Sequence, residues 1–140
     1  MVSVPSEHVE QREVVKWFRQ TWPGVLIYAT PNGGKRDMAQ AARLKAEGVV
    51  PGIPDLFIPA WRLYIEMKKT QGGITSKEQR EMLLYLRRVG YDAIVCAGAD
   101  EAKRYISGHA TRLGVQSGIQ DNVSDSAPAA VSEGSDCGTG

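Results

Sequence analysis

The apolar residues of the chain recur with two different periods, and the alternation between them lays out the elements. Val9, Val14, Val15, Trp17 and Phe18 fall at helical spacing behind Ser6, a candidate N-cap with acids in the turn that follows, so they predict a first helix ending before Pro23. Residues 25–30 are a short continuous apolar run and predict a central strand. The segment PNGGKR at 31–36 is a turn by its chemistry, because Asn-Gly and Gly-Gly tolerate positive φ. A second helix follows, with Asp37 as N-cap, Met38, Ala41, Ala42 and Leu44 toward the packed face, and Gly48 as its stop. Two more apolar runs, 55–59 and 63–67, are joined by a tight connection around Ala60 and Trp61 and predict an antiparallel hairpin. Beyond Gln71-Gly72-Gly73, Thr75 or Ser76 caps a long helix, with Thr75 and Glu78 at capping-box spacing. Its apolar stripe is Met82, Leu83, Leu86 and Val89, and Gly90 ends it. Residues 91–97 predict a buried strand, and Asp100 caps a last helix running to about Arg112. The order α-β-α-β-β-α-β-α describes an α/β domain with a central mixed β-sheet flanked by helices.

Composition changes this picture mainly at the C-terminal end. At 140 residues and 42% hydrophobic content the chain has room for one domain with a real core. From Gly114 onward large apolar residues almost disappear, so the expected division is a folded domain at 1–113 and a disordered, Gly/Ser/Ala-rich acidic tail at 114–140. All 17 Lys and Arg precede the tail, whereas it holds four of the 16 acids, so the net charge of +1 conceals a basic body. Such a body suits a polyanionic partner, although many ordinary domains are equally basic. No run of 18 apolar residues and no signal-peptide pattern occurs, which leads to the expectation of a soluble, cytoplasmic protein with no membrane partner. Cys96 and Cys137 have no metal-ligand spacing, and Cys96 reads as a small buried apolar residue.

The chemistry concentrates in the stretch 49–69, VVPGIPDLFIPAWRLYIEMKK. Strand residues two apart share a face and lie roughly 6.6 Å from each other. Tyr64, Glu66 and Lys68 therefore share one face of the second hairpin strand, Leu63, Ile65 and Met67 take the core side, and the hairpin brings Asp55 near Glu66. Two such carboxylates repel and raise each other's pKa unless a cation lies between them, and a hard ion such as Mg²⁺ suits an all-oxygen site. Lys68 would then be a point charge beside it, able to stabilise phosphorane charge or to orient water. The same residues also fit a surface hairpin with an ordinary Glu–Lys pair. Elsewhere, Glu7 and Gln11 are spaced i, i+4 at the edge of the first helix's inward face, where acids also simply complement the helix dipole. Lys35 and Arg36, in a glycine turn feeding a helix, can hold a phosphate or be solvated. Lys77, Arg80, Arg87 and Arg88 give the long helix a basic outer surface, fit for a DNA backbone or for water.

Taken together, Glu7 and Gln11 on the first helix, Ile53-Pro54-Asp55 at a strand start and Ile65-Glu66-Met67-Lys68 on the next resemble the PD-(D/E)xK nuclease superfamily. Within it the likeness is to stand-alone phage and bacterial VRR-NUC (virus-type replication-repair nuclease) proteins. It extends over about residues 5 to 108 through SEHVEQ, PNGGKR, AARLKAEGVVPGIPDLF, IEMKK, TSKEQ and GYDAIVCAGADEA. The resemblance implies a restriction-endonuclease-like core and a metal-dependent DNA endonuclease, in a bacterial or phage-infected cell. It implies Asp55, Glu66, Glu7 and the Met67 carbonyl as ligands of Mg²⁺ or Mn²⁺, Lys68 as the catalytic lysine, and Gln11 and Gln79 as supporting residues. Glu10, about one turn from Glu7, is the rival for the first-helix acid. Asn32, Lys35, Arg36, Lys69, Lys77 and Arg80 are the candidate DNA contacts. The resemblance further implies a homodimer acting on branched DNA such as Holliday junctions. A non-catalytic module binding branched DNA, or a metal-dependent hydrolase of RNA or nucleotides, are the alternatives. The connection Pro59-Ala60-Trp61-Arg62 is shorter than the Gly-rich one of many such proteins, and it leaves Trp61 at the hairpin tip, to stack on a base, pack in a dimer or plug a local gap.

Overall fold

The structure, a computed structural model, describes residues 3–31 and 36–117. Its elements are α1 (Glu7–Thr21), β1 (Tyr28–Ala29), α2 (Met38–Ala46), β2 (Leu56–Ile58), β3 (Leu63–Lys68), α3 (Lys77–Arg88), β4 (Asp92–Ala97) and α4 (Ala99–Leu113), with a 3₁₀ turn, Pro59–Trp61, between β2 and β3. The four strands form one sheet in the order β1-β2-β3-β4. β1–β2 and β2–β3 are antiparallel, and β3–β4 is parallel, as a helical crossover through α3 requires. No helix among the described residues is long and apolar enough to cross a membrane.

Two layers bury the sheet. Leu63, Ile65 and Met67 on β3 join Leu56 and Ile58 on β2, and onto them pack Val14 and Phe18 of α1 with Ala102, Ile106 and Ala110 of α4. Cys96 belongs to this core, and burial pushes its thiol up to about 12. On the opposite face α3 sets Leu83 and Leu86 against Ala93, Tyr64 and Val95. Gly114, at φ +73, closes α4, and Val115 still packs on the core, two residues past the expected boundary at 113. The rest of the expected tail, from 118, lies outside the described residues.

Several expectations are corrected. The run 25–30 is no central strand: only Tyr28 and Ala29 pair, at the sheet edge, with Pro23 and Gly24 preceding the run, and most of the expected turn at 31–36 lies outside the described residues. α2 starts on the Asp37 cap, whose carboxylate accepts from the Gln40 N–H at 2.7 Å, and stops at Gly48, yet it buries no residue, with Met38 90% exposed. Val9 and Val89 are exposed too, since the buried row of α1 is Glu10, Val14, Phe18 and that of α3 is Leu83, Leu86. The α3 capping box uses Ser76 and Gln79, not Thr75 and Glu78. α4 begins after Gly98, whose φ of +87 needs glycine, and Asp100 lies within its first turn. Of the readings of Trp61 at the hairpin tip, the local plug is the one borne out, and exposure there is not. At 6% exposure its ring lies 5.2 Å from Phe18 and 5.0 Å from Trp22, sealing one end of the core.

Candidate active site

The registers of β1, β2 and β3 set the site. Leu56 faces Ile65, so the next row pairs Asp55, just before β2, with Glu66 on the face away from the core. Asp55 Oδ2 accepts from the Met67 N–H at 2.8 Å, which ties the hairpin mouth to β3. A strand residue directs its N–H and C=O to the same edge, so the Met67 carbonyl also faces Asp55.

Glu66 and Lys68 are both buried, at 3% and 7% exposure, which is costly for charged groups unless they are partnered. Lys68 Nζ is 3.2 Å from Glu66 Oε1 and donates to Gln79 Oε1 at 3.0 Å. Gln79 Nε2 donates to Glu66 Oε1 at 2.6 Å, while Gln79 Oε1 also accepts from the Ser76 N–H at 2.9 Å. One amide thus holds the lysine, the glutamate and the start of α3. Glu66 Oε2, by contrast, is buried with no hydrogen-bond partner among the described residues. Burial, and then the charge of Asp55, push the Glu66 carboxyl up to about 7 despite the attraction of Lys68. Burial likewise raises Asp55, opposed by the Met67 N–H and Lys68 and reinforced by the charge of Glu7.

That last influence separates the two candidate acids of α1. Glu7 is exposed and near enough for its charge to be felt at Asp55. Glu10 is buried and spends its carboxylate on the Ala99 N–H at the start of α4. Gln11 is half-buried, and no hydrogen bond among the described residues joins it to Asp55, Glu66 or Lys68. Among the described residues no three His, Cys, Asp or Glu side chains form a group that could hold a metal, so Glu7 stands apart from the Asp55–Glu66 pair. The pair itself fits a hard cation: two carboxylates with raised pKa values, one of them with a buried oxygen that has no hydrogen-bond partner of good geometry among the described residues.

Of the candidate DNA contacts, Asn32 and Lys35 lie outside the described residues. Arg36 is exposed, donates to the Pro31 carbonyl, and lines a cavity of about 420 Å³ together with Lys45, Ser76 and Gln79. Lys69 is exposed, Lys77 pairs with Glu81 at 3.8 Å, and Arg80 donates to the Thr75 carbonyl at 2.7 Å. Lys77 and Arg80 therefore sit at the start of α3, on the same end as Gln79. Arg87 is instead committed to the Ala93 carbonyl at 2.7 Å. Ser76 also belongs to the site, and the Ser-x-x-Gln box is its signal in the sequence.

No family model matches the chain, and no curated protein does. A solved structure described as a "VRR_NUC domain protein" matches with a TM-score of 0.67 and 29% identity, over 79% of this chain and 92% of that one.

Proposed function

We propose that this chain, which has the restriction-endonuclease-like VRR-NUC fold of a nuclease domain, is a Mg²⁺- or Mn²⁺-dependent endonuclease that hydrolyses phosphodiester bonds in branched DNA. The observation that carries the proposal is Glu66: a carboxylate buried beside Asp55, raised to about 7, with Oε2 unpartnered among the described residues. Asp55, Glu66 and the Met67 carbonyl would hold the ion, with Glu7 close enough to bias the site electrostatically. Bound there, the ion would polarise a phosphoryl oxygen and acidify a water.

The chain's own residues supply the rest. Gln79 and Glu66 fix the Lys68 ammonium in one position, so its charge is already in place where negative charge grows on the phosphoryl group. Burial of the ammonium strengthens that interaction relative to water. Lys69, Lys77 and Arg80 offer charges for the flanking backbone phosphates. A four-way junction has two-fold symmetry, so a homodimer of this body matches it with two equivalent sites. The test is cleavage of a labelled four-way junction with Mg²⁺. The wild type is expected to cut it, and Asp55→Ala or Lys68→Ala to cut at least about a hundredfold more slowly. Undiminished cutting by either variant sinks the assignment of the site.

A further inference from the structure

The face that carries Glu66 and Lys68 also carries a second, aromatic row. Tyr28 on β1 is the cross-strand partner of Phe57 on β2, and Phe57 is the partner of Tyr64 on β3. The Phe57 and Tyr64 rings stack at 4.0 Å with planes 18° apart, and Tyr28 meets Phe57 edge-on at 5.7 Å. Tyr91, just before β4, extends the row at 5.4 Å from Tyr64, and the Arg62 guanidinium lies over its ring at 4.3 Å. Arg62 holds that position from a left-handed φ of 50 and by donating to the Gly90 carbonyl. α3 covers only the Tyr64–Tyr91 end. Tyr28 remains 44% exposed at the open edge of the sheet.

The position of this row is what distinguishes it from sheet packing alone. Tyr64 and Glu66 are two residues apart on one strand and one face, so the aromatic row runs parallel to the Asp55–Glu66 row about 6.6 Å away. That is about the spacing between adjacent phosphates of an extended strand, and every nucleobase has a π-face that stacks on aromatic rings whatever its sequence. We propose that the Tyr28–Phe57–Tyr64 row is a stacking platform for an unpaired nucleobase of the DNA substrate, with Tyr28 as the ring the base meets. The platform rests on the DNA reading of the adjoining site and makes it narrower. The preferred strand is one with an unpaired nucleotide next to the scissile phosphate, as at a branch point or flap. Arg62, exposed at the far end of the aromatic row, places a positive charge on this face for the strand's phosphates.

The test is binding by the full chain in EDTA, which needs no cleavage. Branched DNA with one unpaired 2-aminopurine at the branch is compared with a fully paired duplex of the same length. Wild type is expected to quench the 2-aminopurine, and Tyr28→Ala to weaken binding of the branched DNA about tenfold with duplex binding unchanged. Tyr28→Phe keeps the ring and should restore both, whereas Tyr28→Leu keeps apolar area without the π-face and should not. Circular dichroism confirms that each variant is folded. The proposal is overturned by Tyr28→Leu binding as tightly as wild type, by an equal loss on duplex, or by Tyr28→Ala converting a dimer into a monomer in sedimentation. That last result would mean a second copy covers the row. If these arms come out as expected and Mg²⁺ produces no cutting, the platform stands and the hydrolytic reading falls.

Discussion

Glu66→Gln is the substitution that should separate what the site does for the fold from what it does for chemistry. In the folded chain the Glu66 carboxyl titrates at about 7 against an ordinary 4.5, chiefly through burial and secondarily through the charge of Asp55. At about 1.4 kcal/mol for each tenfold change in proton affinity, ionised Glu66 lowers the stability of the metal-free protein by about 3 kcal/mol. The attraction of Lys68 is already contained in that figure, because the carboxyl is raised in spite of it. Glutamine has the same shape and can still accept from Gln79 Nε2 and Lys68 Nζ, so it mimics the protonated acid. The sign follows from the raised pKa: the folded state binds the proton more tightly than the unfolded chain does. The stability that protonated Glu66 contributes is therefore full below about pH 4.5 and is lost as the pH rises through about 7.

Urea unfolding in EDTA between pH 4 and 8.5 measures this directly. Wild type should lose about 3 kcal/mol across that window, and Glu66→Gln should lose much less and be the more stable protein at pH 8. In melting temperature the difference is on the order of 10 °C for a domain of this size. Mg²⁺ at a hundred times its Kd should return about 2.7 kcal/mol to wild type and nothing to the variant, which should also fail to cut DNA. A wild-type profile flat from pH 5 to 8, or a variant less stable than wild type at pH 8, would refute the claim that this buried acid is held ionised at a cost.

Gln79→Ala removes the acceptor of Lys68, the donor to Glu66 and half of the α3 capping box, so it should lower stability by about 1–3 kcal/mol in urea titrations and slow cleavage as well. The two acids of α1 should respond in opposite ways. Glu10→Ala strands the buried Ala99 N–H and should cost about 1–3 kcal/mol with Mg²⁺ affinity unchanged by calorimetry, whereas Glu7→Ala should leave the melting temperature unchanged and weaken Mg²⁺ binding. Trp61→Ala opens the core between Phe18 and Trp22 and should cost about 3–5 kcal/mol in thermal unfolding.

What could be read in the sequence follows the range of the forces involved. The period of two in 63–68 sorted Leu63, Ile65 and Met67 to the core and Glu66 and Lys68 to the other face, and the short connection at Ala60 put Asp55 beside Glu66. These are local consequences of backbone geometry. Glu10 could not be placed in this way, because its partner, the Ala99 N–H, is contributed by the other end of the fold. Its row with Val14 and Phe18 at i+4 and i+8 was as regular as the one proposed for Glu7, and only the docking of α4 decides between them. The readings of Trp61 as an exposed ring and as a local plug stay open in the sequence for the same reason, since Phe18 of α1 and Trp22 at its C-cap are what cover it. The apolar side of α2 was legible and still misleading, because periodicity marks a face and cannot supply the surface it packs against.

Gln79 joins the two scales. It is the third residue of α3, and its backbone N–H closes the box on the Ser76 hydroxyl while its side-chain oxygen takes the Ser76 N–H. The same side-chain oxygen accepts from Lys68, and the same amide nitrogen reaches Glu66. The helix start and the position of the ammonium are consequently one arrangement: a helix begun one residue earlier or later would rotate Gln79 by about 100° and release both charges from it. β3 supplies the acid and the lysine two residues apart, but two residues apart in a strand leaves about 6.6 Å between Cα atoms and long side chains free to turn elsewhere. It is α3, fixed by Leu83 and Leu86 against the sheet, that converts a shared face into a defined pair. The buried face of α3 therefore contributes to the geometry of a site that none of its apolar residues touches.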